Sequence, residues 1–338
     1  MPMGYNGKGD ESLEKILELL KAHQDSFVSG EELARIAGMT RAGIWKQIEG
    51  LRESGYVIES STRKGYCLRG GADVLLPLEI KGDLPTRRFG QVVYCQHEVD
   101  STNAWGRRLA ETGAPEGTVL VAERQTLGRG RMGRSWSSIA GRGLSFSFIL
   151  RPRLSAAELA VMMILTAVCV ARAVQRVTGI RLAIKWPNDL MHEGRKITGI
   201  LAEMKGEMDL VQYLVIGVGL NVNHELSDFP AELADRAGSL RMIAGKPFLR
   251  SALLREFLVE FERAYDGIAA GSLAAVIADA KAHSATLGRR VTINQGFGKI
   301  LTGQAEDLDQ DGSLWLRTDS GELIRVNSGE LIADFKED

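Results

Sequence analysis

GRGRMGRSW, Gly128 to Trp136, is the stretch on which the fold turns. Its first six residues satisfy the dinucleotide fingerprint GxGxxG, which would make the chain a Rossmann protein. A Rossmann turn lies between a strand and a helix, and an acidic residue about 20 positions on holds the ribose. Here RSWSSIAGRG follows, and FILRPRL occupies the acidic position. The fingerprint therefore fails on context. VIGVGLN fails too, since no helix start follows Asn221, and no GxxxxGK[ST] string occurs.

The loop offers Arg129, Arg131 and Arg134 on a glycine-freed backbone. Arginine's planar fork suits phosphates and carboxylates, and freed amides can add to an anion-binding nest. A solvated flexible loop is the competing reading. Trp136 offers either a stacking face for a base or a core anchor.

Two flanking clusters raise the same choice. KWPNDL, Lys185 to Leu190, is read at the end of a strand, where Pro187 interrupts pairing and leaves Lys185, Asn188 and Asp189 near a strand terminus. An edge strand closing in an Asn-Asp turn explains it equally. DSTNAW, Asp100 to Trp105, places Ser101 and Thr102 at a strand-to-helix junction. Capping accounts for them, although amides at a helix start also hold polar substrate atoms.

Further out, 338 residues with 44% hydrophobic and 25% charged side chains predict two or three globular domains. The net charge of -1 excludes a globally basic nucleic-acid binder, so any such partner must use a local patch. Cys67, Cys95 and Cys169 are dispersed, with no CxxC pair and no secretory signal, which points to a reducing cytoplasm. LAVMMILTAVCVA, Leu159 to Ala171, is shorter than the roughly 20 residues of a bilayer span and reads as part of a core helix over 156–177, with no membrane partner.

At the N-terminus, MPMGYNGKGD reads as a frayed tail. LEKILELL, SGEELARIAG (capped by Ser29, stopped by Gly38) and TRAGIWKQIEGLRESG (capped by Thr40, stopped by Gly55) predict three helices. YVIESSTRKGYCL predicts a hairpin with Thr62 to Gly65 at its tip, completing a winged helix-turn-helix. Arg41, Lys46, Arg52, Arg63, Lys64 and Arg69 outnumber Glu49, Glu53 and Glu59 there. Candidate DNA contacts are Thr40, Arg41, Trp45, Lys46 and Gln47 on the recognition helix, with Arg63 and Lys64 on the wing. A winged helix kept only for packing is the alternative.

After a low-signal linker around GGADVLLPLEIKGDLP, the strands VVYCQHEV, GTVLVAERQT, GLSFSFIL, LAIKWPNDLM, KITGILAEM and YLVIGVGLNVN are interrupted by few helices, which favours an α+β sheet domain. A helix over 253–268 follows. RRVTIN, KILTGQAEDL, GSLWLRT and GELIRVN alternate around DG and SG turns, as in a small β-barrel. The chain is thus an α+β multidomain protein, divided at 1–70, 85–283 and 286–338.

DSTN, ERQTLGRGRMGRSW, KWPNDL, a GIL strand and VIGVGLNVN, in that order, resemble the biotin protein ligase family. With the winged helix and C-terminal barrel, the resemblance is to its bifunctional branch, which joins ligase and biotin operon repressor, and it covers nearly the whole chain. It implies a biotin/lipoate-ligase-like central sheet and an SH3-like barrel. The implied reaction joins biotin to ATP as biotinyl-5'-AMP, then passes biotin to a lysine of the biotin carboxyl carrier protein of acetyl-CoA carboxylase.

By that resemblance Ser101, Thr102, Asn103 and Gln125 border the biotin rings, and Gly128, Arg129, Gly130 and Arg131 close over the acyl-phosphate end. Lys185 sits between carboxylate and phosphate, and with Arg129 and Arg131 forms the catalytic set. Trp136 lies by the adenine, with Asn188, Asp189 and Asn221 near the nucleotide and its Mg2+, whose ligands remain unassigned. Met132 and Ser135 stand where many relatives carry Arg and Lys.

Carboxylate attack on a polyphosphate brings like charges together, so such a site works by positioning and charge neutralisation. Ordering the loop costs on the order of 1 kcal/mol per residue, so biotin is expected to bind before ATP. The resemblance also implies operator DNA and a homodimer when the adenylate is bound. The alternatives are a non-catalytic biotin-sensing repressor and a lipoate ligase-like enzyme.

Overall fold

The computed structural model describes residues 8–152, 159–207, 210–269, 273–296 and 298–334. Residues 1–7 of the tail expected over 1–10 and the start of the helix expected over 156–177 lie outside them, whereas residues 8–10 of that tail are helical.

The N-terminal unit packs α1 (Lys8–Ala22), α2 (Gly30–Ala37) and α3 (Arg41–Glu53) against the hairpin β1 (Val57–Ser61) and β2 (Gly65–Gly70). Local chemistry sets the helix ends. The Ser29 hydroxyl accepts from the Glu32 amide and Gly38 stops α2 at φ 64°, while the Thr40 hydroxyl accepts from Gly43. Ile16, Leu20, Leu33, Ile44, Ile48 and Leu51 meet in a core that continues through Leu76. The predicted linker is thus ordered, and α4 (Pro77–Lys81) lies within it.

The central unit is a seven-stranded sheet in the order β3-β4-β5-β9-β8-β7-β6. Its strands are β3 (Val93–Val99), β4 (Val119–Gln125), β5 (Gly143–Leu150), β6 (Ala183–Lys185), β7 (Asp189–His192), β8 (Arg195–Glu207) and β9 (Leu210–Asn221). Only β3 and β4 run parallel, which excludes a doubly wound sheet. α5 (Thr102–Glu111) follows β3 and packs on one face. α6 (Leu159–Thr178) and α8 (Arg250–Ala269) cover the other, with α7 (Leu240–Ala244) before α8 and α9 (Leu273–Ala282) after it. α9 was not expected from the sequence.

α6 is long and apolar enough to cross a membrane, but 72% of that window is buried in the protein. The alternation in GLSFSFIL does not mark a wet face. Phe146 and Phe148 enter the core, and Ser147 is buried against Thr102 and Asn103 of α5.

β10 (Arg290–Asn294), β11 (Ile300–Leu308), β12 (Leu314–Thr318), β13 (Leu323–Val326) and β14 (Glu330–Asp334) form the C-terminal unit, in the order β13-β12-β11-β10-β14. The last strand returns beside the first, the arrangement of a small SH3-like barrel around Val291, Ile293, Ala305, Leu314 and Leu316. This core is continuous with the central one. Trp186 is the joint: its amide donates to Thr286 Oγ1 and its indole to the Gly312 carbonyl, both at 3.0 Å.

Candidate active site

Close backbone approach builds the site. Gly217 and Gly219 of β9 lie directly beneath Asn103 and Trp136, and a Cβ at either would stand inside the side chain above it. The glycines of VIGVGLN thus give room to side chains on the sheet face and form no phosphate turn.

At one end of the resulting pocket the start of α5 is not capped by its own side chain. The Thr102 amide and hydroxyl donate to Gln125 Oε1 of β4 at 2.8 and 3.2 Å. Ser101 occupies the cap position without a side-chain cap bond, which corrects the capping explanation. Asn103 donates to the Leu201 carbonyl at 3.1 Å and accepts from Ser147 Oγ at 2.7 Å. This is a small buried end with fixed donors and acceptors, suited to a neutral polar ring.

The arginine loop is a miniature hairpin. The Gly130 amide donates to the Arg134 carbonyl and Trp136 to Gly128, at 2.8 and 2.9 Å. Met132 and Gly133 at the tip have φ of 54° and 75°, the left-handed pair of a type I′ turn. Gly128, expected at the biotin site, does not line the pocket: it is buried, with the Trp136 carbonyl where a Cβ would stand. Its part is to let the hairpin close.

Arg131 reaches across to Asn188 Oδ1 at 2.9 Å. Burial holds its guanidinium below its ordinary value against the opposing pull of Asp189 and Glu330. Arg134 pairs with Glu330 of the barrel, and Arg129 lines the pocket with an exposed side chain.

KWPNDL starts on Lys185, the last residue of the edge strand β6, as expected, and runs through a turn into β7. The Trp186-Pro187 bond is cis, and Lys185 and Asp189 pair across the base of the turn. The turn points Lys185, Asn188 and Asp189 into the pocket, while Trp186 faces the barrel.

Lys196 of β8 was missed in the sequence. It pairs with Asp189 at 2.6 Å and lies 5.9 Å from the centroid of the Trp136 ring. Arg236 and the β14 residues Glu330 to Ile332 also line the pocket unforeseen. No spacing rule ties these positions to the motifs, because strand pairing and domain docking bring them in. The cavity is about 550 Å³ and gathers Ser101, Thr102, Asn103, Gln125, Arg129, Gly130, Arg131, Trp136, Lys185, Asn188, Asp189 and Asn221.

His224, behind the loop after β9, is 3% exposed and stacked on Phe229. Burial, opposed by Asp228 and aided by Arg142 and Arg250, pushes it down from 6.5 to about 4. The folded state thus holds the neutral ring, whereas the unfolded chain takes up a proton below about 6.5. Its stabilisation is complete above that pH and is lost as pH falls from 6.5 toward 4, on the order of 3 kcal/mol at the limit. Urea unfolding of the wild type at pH 7 and pH 4.5 should show the loss, and His224→Phe should flatten it.

On the N-terminal unit, Arg41, Trp45 and Lys46 are exposed along α3, Trp45 at 59%, and Arg63 and Lys64 are exposed at the wing tip. Thr40 is exposed too, although its hydroxyl accepts from the Gly43 amide as a cap, and Gln47 is half-buried. Arg52 is bonded to Glu49 and the Ile58 carbonyl, and Arg69 to Glu59. The outward basic face is therefore narrower than the count of basic residues suggested.

Comparison with known proteins agrees with this construction. Residues 93–221 match the Biotin/lipoate A/B protein ligase family, 12–67 an HTH domain and 286–332 the Biotin protein ligase C terminal domain. The chain is 37% identical over 319 residues to the "Bifunctional ligase/repressor BirA" of Bacillus subtilis, spanning 94% of this chain and 97% of that protein. It is 32% identical over 247 residues to the "Biotin--[acetyl-CoA-carboxylase] ligase" of Mycobacterium tuberculosis, covering 70% of this chain and 86% of that one. The solved structure "Biotin protein ligase from Aquifex aeolicus in complex with biotin and ATP" superposes with a TM-score of 0.62 at 33% identity, over 71% of this chain and 97% of that one. With the winged helix, sheet and barrel all present in order, the chain belongs to the bifunctional branch of the biotin protein ligase family.

Proposed function

We propose that the chain uses the pocket between the β8/β9 face, the arginine hairpin and the barrel to join biotin to ATP, and that it represses biotin biosynthesis genes through its winged helix. A biotin carboxylate oxygen attacks the α-phosphorus of ATP, and pyrophosphate leaves. A lysine amine of the biotin carboxyl carrier protein then attacks the acyl carbon, and AMP leaves. The observation that carries the reading is one cavity with a neutral polar end at Thr102, Asn103 and Gln125 and a cationic end at Lys185 and Arg131. Incubation with biotin, ATP and a carrier domain tests it: pyrophosphate release and a biotinylated carrier lysine are expected. Pyrophosphate release also separates the enzyme from a non-catalytic sensor, and competition by lipoate separates it from a lipoate ligase.

Each side chain has a part in that chemistry. Ser101, Thr102, Asn103 and Gln125 hold the ring system, and Lys185, Arg129 and Arg131 neutralise the approaching anions. Asn188 orients Arg131, and Trp136 stacks with the adenine. Mg2+ bound through ATP phosphates needs only one or two protein carboxylates. Asp189 fits that need, and Asn221 also lines the pocket, although no cluster of three acidic, His or Cys ligands occurs among the described residues. The ion would neutralise phosphate charge.

With the adenylate bound, the chain forms a homodimer through its central sheet and binds two-fold operator DNA in the cytoplasm. Replacing Arg63 and Lys64 together by Ala should weaken all duplexes alike and reduce the salt slope of log affinity by about 2, read from titrations across salt concentrations.

A further inference from the structure

Arg250, at the start of α8, is 1% exposed, and each of its side-chain N–H donors has a partner. Nε donates to Asp73 Oδ2 at 2.8 Å. One terminal nitrogen donates to Glu123 Oε2 at 2.6 Å and the Gly143 carbonyl at 3.1 Å, the other to the Asp73 carbonyl at 2.6 Å and Glu123 Oε1 at 3.1 Å. Asp73 Oδ1 in turn accepts from the Arg250 amide at 2.8 Å.

The partners come from two places. Glu123 and Gly143 stand at the two ends of the segment that carries the arginine hairpin. Glu123 Oε2 also accepts from the Gly141 amide at 3.1 Å, and Gln125, two residues on, holds Thr102. Asp73 belongs to the tether between the winged helix and the central sheet. Leu75 of the same tether donates to Glu123 Oε1 at 3.3 Å, and Asp73 Oδ2 accepts from Asn223, just past β9, at 3.0 Å.

We infer that Arg250 is a positioning residue that pins both ends of the hairpin segment, and that Asp73 makes the tether of the DNA-binding unit sense that pin. A buried guanidinium held between two half-buried carboxylates, with both terminal nitrogens on Glu123, has few alternative arrangements. A shift at either end of the hairpin segment therefore reaches Asp73 without a flexible intermediate. This rests on the ligase and repressor reading above and adds the route by which site occupancy reaches the tether. Asp73 does not touch the pocket.

The test uses the full chain, wild type and Asp73→Asn, with matched melting temperatures as the folding control. In the wild type, amide exchange of the peptide over 71–76 should slow at least tenfold on adding biotin and ATP. Affinity for a duplex selected from a random pool should rise at least tenfold. In Asp73→Asn both responses should fall below twofold, while kcat and KM for pyrophosphate release stay within threefold. Arg250→Lys keeps the charge but loses the fork, and should raise KM for biotin and ATP together at least tenfold. Unchanged tether exchange in the wild type, an intact response in Asp73→Asn, or loss of ligation together with it, would each overturn the proposal. Failure of the wild type to release pyrophosphate would sink the ligase reading instead, and absent duplex binding the repressor reading, while tether exchange still decides this one.

Discussion

Lys185→Ala should lower the rate of biotinyl-adenylate formation by at least about 10²-fold while leaving the melting temperature nearly unchanged. Lys185 ends β6 and faces the pocket across from the arginine hairpin. The attacking carboxylate and the triphosphate are both anionic, so a fixed ammonium between them stabilises the transition state more than either bound ground state. The side chain is half-buried at a turn and fills no part of the core, so its removal leaves the packing intact. Single-turnover pyrophosphate release checks the rate, and thermal unfolding checks the fold. A variant with wild-type turnover would remove Lys185 from the catalytic set.

Gly219→Val should weaken ATP binding by about tenfold to a hundredfold and leave biotin binding within threefold. A branched side chain at Gly219 occupies the place of the Trp136 indole, which lies flat on β9 there and touches Gly199 of β8 beyond. The ring must leave its seat, and a base stacked on an aromatic contributes about 1–3 kcal/mol. The Thr102, Asn103 and Gln125 end has its own bonds, none through Trp136. Calorimetric titration with ATP, and separately with biotin, measures both halves. Equal losses for the two ligands would show instead that Trp136 supports the pocket as a whole.

Much of the local structure was legible from short-range chemistry. Ser29, Gly38 and Thr40 bound helices through hydrogen bonds three to five residues long, and the wing turn follows from alternation and a glycine. The arginine hairpin could be separated from a dinucleotide loop because the distinction depends on what flanks it. Its type I′ turn was not foreseen, since Met132 is an unusual residue for φ of 54°.

Long-range features were not legible. Lys196 meets Asp189 only because β7 and β8 pair with a register shift, and Glu330 meets Arg134 only because β14 returns beside β10. Asp73 and Arg250 are 177 residues apart, one in a stretch with no periodicity and the other at the edge of a predicted helix.

The sequence by itself determined the order of units, the motifs and the family to which they belong, because these rest on residue identity and on spacings within one turn or strand. Tertiary structure alone decided that the KWPNDL turn faces the pocket, that glycines in β9 make room for Asn103 and Trp136, and that the barrel closes one wall of the pocket. It also decided that the tether is bonded to the frame of the site. The reason is physical: periodicity and caps report the free energy of neighbours along the chain, whereas a buried fork or an indole seated on a glycine depends on contacts between distant segments that no local pattern encodes.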